Sequence, residues 1–396
     1  MYIERGITGE FTSMAKISGI VAVVGPRQAG KTTFLKEQAG KVGASYLLFD
    51  DPDVRELFDG DIKRFENQYL RSGKPTVLDE VQYGKEPGRK LKYLADTGKR
   101  LWVTSSSEVL LGKDVLSWLV GRVSVIRLYP FSFSEFLVAK DQREVTETIA
   151  TRLMEEHMVY GGYPKVVLED DIANKEALLR GLYETMVLKD VARAFQIEDA
   201  GSLERFITYL SHSIGNVLEY NSICRDLGLS FQSVKKYLDA LEKSYMISRV
   251  APFYKNRRSE ITKRPKLYFL DTGLRNLIAR EFSPTAETRG ALFEDYVMTE
   301  LLKAGKTVKY WRSKGGAEVD FVVEHEGKQI PIEVKYKADG GTVERSMRSF
   351  IDSYRPKTGF VVFSRGEEAS TKVGECNVRF IGLRKLTSLL GKKEAD

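Results

Sequence analysis

The sequence predicts an α/β chain: a parallel sheet bearing a phosphate-binding loop comes first, helical segments follow, and a second α/β unit closes the chain. Three observations predict this. The apolar run Ile20-Val21-Ala22-Val23-Val24 feeds directly into Gly25-Pro26-Arg27-Gln28-Ala29-Gly30-Lys31-Thr32. Around residues 221–253 a short helical pattern, a Gly228-Leu229 turn and a longer helical pattern succeed one another. Near the C-terminus two apolar runs carry Asp320 and Glu333, separated by a Glu326-Gly327 turn signal.

The totals set the bounds. A chain of 396 residues predicts two or three domains with ample core. Hydrophobic content of 42% beside 30% charged residues is that of a globular protein. The net charge of +7 leans towards a polyanionic partner, a small excess for this length. Cys224 and Cys376 are the two cysteines, without a C-x-x-C pair, so neither a disulfide framework nor a zinc site is implied. Glu4 and Glu10 and the lack of a long apolar run speak against a signal peptide. No stretch approaches the ~20 apolar residues of a membrane span. The expectation is a cytoplasmic protein without a membrane partner.

Gly25 to Thr32 matches G-x-x-x-x-G-K-[ST], and residues 32–38 read as a helix. Strand, glycine-rich turn and helix is the context in which backbone N–H groups close on phosphate oxygens, helped by the helix N-terminus. The expected nucleotide-binding residues are Gly25, Pro26, Arg27, Gln28, Ala29, Gly30, Lys31, Thr32 and Thr33, with ATP and Mg²⁺ as cofactors. Lys31 would reach the β/γ-phosphates and Thr32 would hold the metal.

Ser45-Tyr46-Leu47-Leu48-Phe49 reads as a second strand; Asp50 and Asp51 after it, backed by Pro52, suit a loop start better than a cleft lining. Residues 54–71 read as helical. Pro75-Thr76-Val77-Leu78-Asp79-Glu80 is a short apolar strand ending in paired acids, the Walker B position. Asp79 would accept from the Mg²⁺ shell and Glu80 would polarise the attacking water. Leu101-Trp102-Val103-Thr104 is the next strand, followed by three serines, of which Ser106 is the candidate γ-phosphate sensor; the alternative is an ordinary loop start or cap. Arg122, before the run Val123 to Pro130, is either an arginine finger serving a neighbouring copy, which implies a homo-oligomer, or a solvated arginine.

These motifs resemble a widespread group of prokaryotic ATPases that join an AAA-type domain to a C-terminal region of unknown function. The resemblance rests on residues 25–32, Leu78-Asp79-Glu80-Val81-Gln82, residues 104–107, Leu119-Val120-Gly121-Arg122, Leu128-Tyr129-Pro130-Phe131-Ser132-Phe133-Ser134-Glu135-Phe136 and Gly161-Gly162-Tyr163-Pro164. The similar group usually ends its sensor strand Thr-Gly-Ser; here Ser105 stands in the glycine position. The resemblance implies an AAA-type fold and ATP binding. The expected domains are an ATPase domain over residues 1–140, a helical lid over 141–204, a winged helix-turn-helix over 205–262 and a nuclease-like domain over 263–396. Gly161 to Pro164 reads as a joint between lid helices.

In the middle unit Ser230 reads as the N-cap of a helix whose Val234, Tyr237, Leu238 and Leu241 form one apolar stripe. Gln232, Lys235 and Lys236 are left outside. An extended segment over residues 246–253 would supply the wing. Lys255, Arg257, Arg258, Lys263, Arg264 and Lys266 then face a single acid, Glu260. Duplex DNA is the expected partner, with Gln232, Lys235, Lys236, Arg257 and Arg258 in contact; the alternative is a packing module with a solvated basic run.

At the C-terminus, Asp320, a spacer and then Glu333-Val334-Lys335 at the end of an apolar strand is similar to the PD-(D/E)xK nuclease superfamily. That resemblance implies Asp320 and Glu333 as Mg²⁺ ligands, Lys335 as the group that orients water, and Glu294 as the helix acid. Counting outward from a two-residue turn at Glu326-Gly327 also sets Asp320 opposite Glu333 and Glu318 opposite Lys335. Facing carboxylates repel, and a divalent cation would relieve them. Two functions follow: an ATPase that binds and cleaves DNA, or a nucleotide-controlled DNA- or partner-binding switch whose nuclease-like unit is inactive.

Overall fold

The computed structural model describes residues 2–70, 73–105, 118–119, 121–142, 146–254, 263–338 and 340–391. Ser106, Arg257 and Arg258 lie outside the described residues.

Five strands make the first sheet: β1 (Ile20–Val24), β2 (Ser45–Leu48), β3 (Thr76–Asp79), β4 (Leu101–Ser105) and β5 (Val123–Arg127). Their order is β2-β3-β4-β1-β5, and every neighbouring pair is parallel. All five residues of β1 are buried because both faces of the sheet are covered. Val21 and Val23 join Phe11, Phe34 and Leu35 on one face. Ile20, Ala22 and Val24 join Phe49, Phe58, Phe65 and Leu91 on the other, the period-two alternation of a strand. The helical stretch expected over residues 54–71 is two helices, Pro52–Gly60 and Ile62–Tyr69. Asp61 breaks it: its backbone is extended and its carboxylate caps the second helix, accepting from the N–H groups of Lys63 and Arg64.

The segment expected to be a lid divides between two cores. The helices Phe133–Ala139 and Glu147–Tyr160 contribute Phe136, Met154 and Met158 to a core shared with the C-terminal unit. From Tyr163 onward the chain packs with the middle unit, apart from Val167, which stays in the first core. That unit holds the helices Ile172–Thr185, Ala200–Ser211, Tyr220–Leu227 and Phe231–Lys243, followed by the antiparallel pair β6 (Ile247–Val250) and β7 (Lys266–Phe269). Gly228 closes the third of these helices at φ 66°, a left-handed position. Ser230 caps the fourth by accepting from Ser233 N–H at 3.0 Å. Because β7 pairs with β6, the middle unit runs past the boundary expected at residue 262.

The C-terminal sheet has six strands in the order β12-β13-β11-β10-β9-β8. These are β8 (Val308–Arg312), β9 (Glu318–His325), β10 (Lys328–Ala338), β11 (Thr358–Gly366), β12 (Ala369–Val373) and β13 (Cys376–Gly382). The helix Ala286–Lys303 covers one face through Phe293 and Val297, and the helix Arg345–Tyr354 covers the other through Met347 and Phe350. The β9–β10 turn has Glu326 at φ 50° and Gly327 at φ 73°. Two positive φ values in a two-residue loop suit a type I′ turn, which fixes the hairpin register. The observed ladder runs from Lys328↔His325 to Ile332↔Phe321, the register counted from the sequence.

Candidate functional site

The C-terminal ends of the first sheet gather one cluster. Gly25, after β1, packs so closely on the strand beside it that a Cβ there would stand 2.1 Å from Leu128 O; only glycine fits. Gly30, at φ 98°, opens the helix Lys31–Val42. Lys31 is buried, and its ammonium donates to Gly25 O at 2.9 Å and Pro26 O at 2.8 Å, within the loop whose phosphates it would meet.

Asp79, at the tip of β3, receives three hydroxyls. Thr32 Oγ1 donates to its Oδ2 at 2.9 Å, Tyr46 OH donates to the same oxygen, and Thr104 Oγ1 donates to Oδ1. Thr104 also accepts from Glu80 N–H at 2.9 Å. Burial, then the bond to Asp79, raises the Tyr46 hydroxyl above its ordinary range. Glu80 sits at φ 56° and its Oε2 accepts from Gln82 Nε2. A hydroxyl and a carboxylate in contact are the hard oxygen donors that suit Mg²⁺, so Thr32 and Asp79 fit that ion.

Arg5 braces this loop from the N-terminal segment. It is 5% exposed, and its guanidinium donates to Ala29 O at 2.9 Å, Tyr129 O at 2.6 Å and Glu135 Oε1 at 3.0 Å. Pro164 also lies near: a Cβ at Gly30 would stand 3.9 Å from its Cγ, so the Gly161–Pro164 turn abuts the loop. Arg122 is elsewhere. Its carbonyl accepts from Ile20 N–H at the start of β1, so it lies a strand length from Lys31, about 16 Å at ~3.3 Å per residue. Its side chain pairs with Asp96 at 2.6 Å. A finger role is therefore confined to a neighbouring copy. Asp51 caps the helix Pro52–Gly60 and Asp50 is exposed just after β2, the loop-start reading for both.

The C-terminal acids are arranged differently from expectation. The β9–β10 ladder stops at Phe321, because Asp320 Oδ2 accepts from Val334 N–H at 2.8 Å. Glu318 does not meet Lys335; its Oε1 lies 2.6 Å from Lys266 Nζ. Lys335 lies 3.3 Å from Glu333 and 2.7 Å from Glu344. Glu294 Oε1 accepts from Tyr268 OH at 2.6 Å and Lys266 Nζ at 3.2 Å. Glu333 Oε2 is buried without a hydrogen-bond partner. Burial, then the charges of Glu294 and Glu333, holds the Asp320 carboxyl well above the usual range. Burial pushes Glu333 up to about 7 against the pull of Lys335. Among the described residues no three His, Cys, Asp or Glu side chains group to hold a metal. The resemblance would bring Glu294, Asp320 and Glu333 to one metal with Lys335 beside it; in the structure Glu294 is engaged by Lys266, and Lys335 pairs with Glu344 as well as with Glu333.

On the middle unit, Gln232 and Lys235 are exposed, and Lys236, on the same helix, donates from Nζ to Gln196 O at 2.9 Å. Arg264 pairs with Glu219 and Lys266 is buried, so these two members of the basic run are not a phosphate-facing surface.

Comparison with known proteins fits this geometry. Residues 18–137 match the family model of an AAA domain. The N-terminal part is an AAA-type P-loop domain. Beyond the AAA domain, residues 151–285 and 289–385 match two domains of unknown function, DUF8612 and DUF4143. An uncharacterized protein of Haemophilus influenzae is 24% identical over 373 residues, covering 89% of this chain and 90% of the relative. An uncharacterized protein of Mycobacterium tuberculosis is 29% identical over 349 residues, covering 84% and 73%. Among solved structures, a Walker-type ATPase of Pyrococcus abyssi aligns with a TM-score of 0.47 at 13% identity, covering 70% of this chain and 96% of that one, a likeness too distant to bear on function. Among the described residues no helix is long and apolar enough to cross a membrane.

Sequence reasoning missed Arg5, Tyr46, Thr104 and the true partners of Lys266. Thr104 had a signal, a hydroxyl at the end of the strand beside Walker B. Arg5 and Tyr46 carried none.

Proposed function

We propose that the chain is a Mg²⁺-dependent ATP-binding and hydrolysing switch, in which nucleotide state sets how a duplex-DNA-binding surface is held, and that its nuclease-like unit does not cleave. The observation that carries this is the segment Leu128–Phe133, which is hydrogen-bonded to β1 of the AAA domain at one end and to the helix Ala286–Lys303 at the other. Leu128 N–H donates to Val24 O at 2.8 Å, beside the P-loop. Three residues on, Phe131 O accepts from Lys303 Nζ at 3.0 Å and from His157 Nε2 at 3.1 Å. Because Nε2 faces a carbonyl it carries the proton, and Nδ1 accepts from Tyr296 OH at 2.7 Å. Phe133 N–H donates to Glu300 at 2.9 Å. A shift of the loop is thus felt by a helix whose other side chains hold Lys266 and Tyr268 of the middle unit.

In the ATPase step Lys31 would leave Gly25 O and Pro26 O for the β/γ-phosphate oxygens. Thr32 and Asp79 would hold Mg²⁺, which when bound neutralises charge on the phosphates. Glu80 would accept a proton from the attacking water once released from Gln82, with Thr104 fixing its backbone. On the middle unit Gln232, Lys235 and Lys236 would meet the duplex, mostly at phosphate. No cleavage step is assigned to Asp320, Glu333 and Lys335, whose surroundings do not fit a metal.

The test is duplex filter binding across a salt series, with ADP, a slowly hydrolysed ATP analogue or no nucleotide. The expected result is a salt-dependent affinity that differs between nucleotide states and stops differing in Lys31→Ala. Absence of salt-dependent duplex binding would remove DNA as the partner, and Mg²⁺-dependent nicking lost in Asp320→Ala would restore the cleaving alternative.

A further inference from the structure

We propose that Lys266 is the resident cation of the C-terminal acid cluster, and that its ammonium keeps that cluster from becoming a divalent-metal site. The proposal deepens the non-cleaving reading given above and rests on it. Lys266 opens β7, and its side chain is 3% exposed. Its Nζ lies 2.6 Å from Glu318 Oε1 and 3.2 Å from Glu294 Oε1, with the Tyr310 ring centroid at 5.7 Å. A lysine is rarely buried to this degree unless its charge is met, and here two carboxylates from different elements meet it. Against the rise that burial imposes on the Asp320 carboxyl, the Lys266 charge in turn pulls it down.

The surroundings fix that arrangement. Tyr268, two residues along β7 and so on the same face of the strand, donates to Glu294 Oε1 at 2.6 Å. Gly215 closes in on the same carboxylate: a Cβ there would stand 3.4 Å from Glu294 Oε1, and Gly215 N–H is tied to Leu267 O at 2.8 Å. Glu294 Oε1 therefore has two donors, and Asp320 Oδ2 has Val334 N–H. Glu333 Oε2, buried and without a hydrogen-bond partner, is the atom of the cluster that the chain leaves unsatisfied. A cluster of like charges needs a cation, and this one has been given a covalently tethered one.

The tether matters because of where it comes from. Lys266 belongs to the middle unit through its β6 pairing, whereas Glu294, Glu318 and Asp320 belong to the C-terminal unit. The same ion pairs that neutralise the acids fasten the two units together. They also turn this lysine inward, away from any nucleic acid.

The experiment is a titration of nucleotide-free, full-length protein with Mn²⁺, following the free aqueous ion by electron paramagnetic resonance. The wild type is expected to show no Mn²⁺ binding that depends on Asp320. Lys266→Met should gain one site per chain, on the order of tenfold tighter or more than any wild-type binding, since an opposing charge is removed at contact distance. The double variant Lys266→Met/Asp320→Asn should lose it again. Lys266→Gln, which keeps a hydrogen-bond donor, serves if the methionine variant fails to fold. Wild-type binding abolished by Asp320→Asn alone would overturn the proposal, as would a folded Lys266 variant that gains nothing. Neither outcome touches the nucleotide dependence of duplex binding, so the two ideas fail separately.

Discussion

Thr104→Val removes one oxygen that does two things. Thr104 is fully buried; its hydroxyl donates to Asp79 Oδ1 and accepts Glu80 N–H at 2.9 Å. Valine matches its shape and fills the space, so no cavity is added, but a carboxylate oxygen loses a donor and a backbone N–H loses its acceptor. At about 1–1.5 kcal/mol for each bond, the loss is about 2–3 kcal/mol. If that energy holds the Walker B acids in their working positions, it corresponds to roughly a 30- to 150-fold fall in turnover. Nucleotide affinity should change little, because the loop from Gly25 to Thr32 carries binding and Thr104 touches it only through Asp79. The assay is steady-state phosphate release at saturating ATP and Mg²⁺, paired with equilibrium binding of a fluorescent nucleotide. Thr104→Ser, which restores the hydroxyl, should recover most of the rate. Wild-type turnover in Thr104→Val, a loss confined to KM, or no rescue by serine would each refute the reasoning.

Three further outcomes are expected. Gly162→Ala would put a methyl 2.3 Å from Phe131 O and 2.9 Å from His157 Nε2, at the meeting point of the AAA domain and the helix Glu147–Tyr160. A destabilisation of about 1–3 kcal/mol should appear as a lower denaturant midpoint. Lys235→Ala with Lys236→Ala should weaken duplex binding evenly across sequences, and flatten its log–log salt slope by roughly 0.9 for each phosphate no longer neutralised; an unchanged slope would take these lysines out of the interface. His157 is held well below its ordinary 6.5, first by burial and then by the Lys303 charge. The unfolded chain binds a proton there that the folded chain does not, so this contribution is present above about 6.5 and is lost as pH falls below it. The urea midpoint should drop on acidification by less in His157→Gln than in the wild type; equal drops would contradict the assignment.

Local motifs were legible in the sequence because their chemistry is local. Gly25 to Thr32 and Asp79-Glu80 are strand ends, where one turn of backbone decides what the residues can do. The β9–β10 register was also legible, since Glu326 and Gly327 dictate the turn and the count follows. What failed depends on partners far along the chain. The ladder stops short of Asp320 because a side chain, that of Asp320 itself, takes the next N–H, which strand counting cannot anticipate. Lys266 looked like part of a basic phosphate-facing run, yet its acids lie 28 and more residues ahead and are brought to it only by the docking of two units. Placing Thr104 beside Asp79 needs the sheet register: Leu78 pairs with Val103, which sets the next residue of β4 there. The lid expected over residues 141–204 divided because its first helix, Glu147–Tyr160, places Met154, His157 and Met158 against the C-terminal core.

The central claim is that nucleotide at the P-loop is felt at the helix Ala286–Lys303 through Phe131. Hydrogen exchange followed by mass spectrometry, with and without a slowly hydrolysed ATP analogue and Mg²⁺, tests it most directly. Altered protection in the peptides covering Phe131–Phe136 and Glu294–Lys303, abolished by Lys31→Ala, is the predicted result. Changes confined to the AAA domain, with the C-terminal helix exchanging identically in both states, would contradict it.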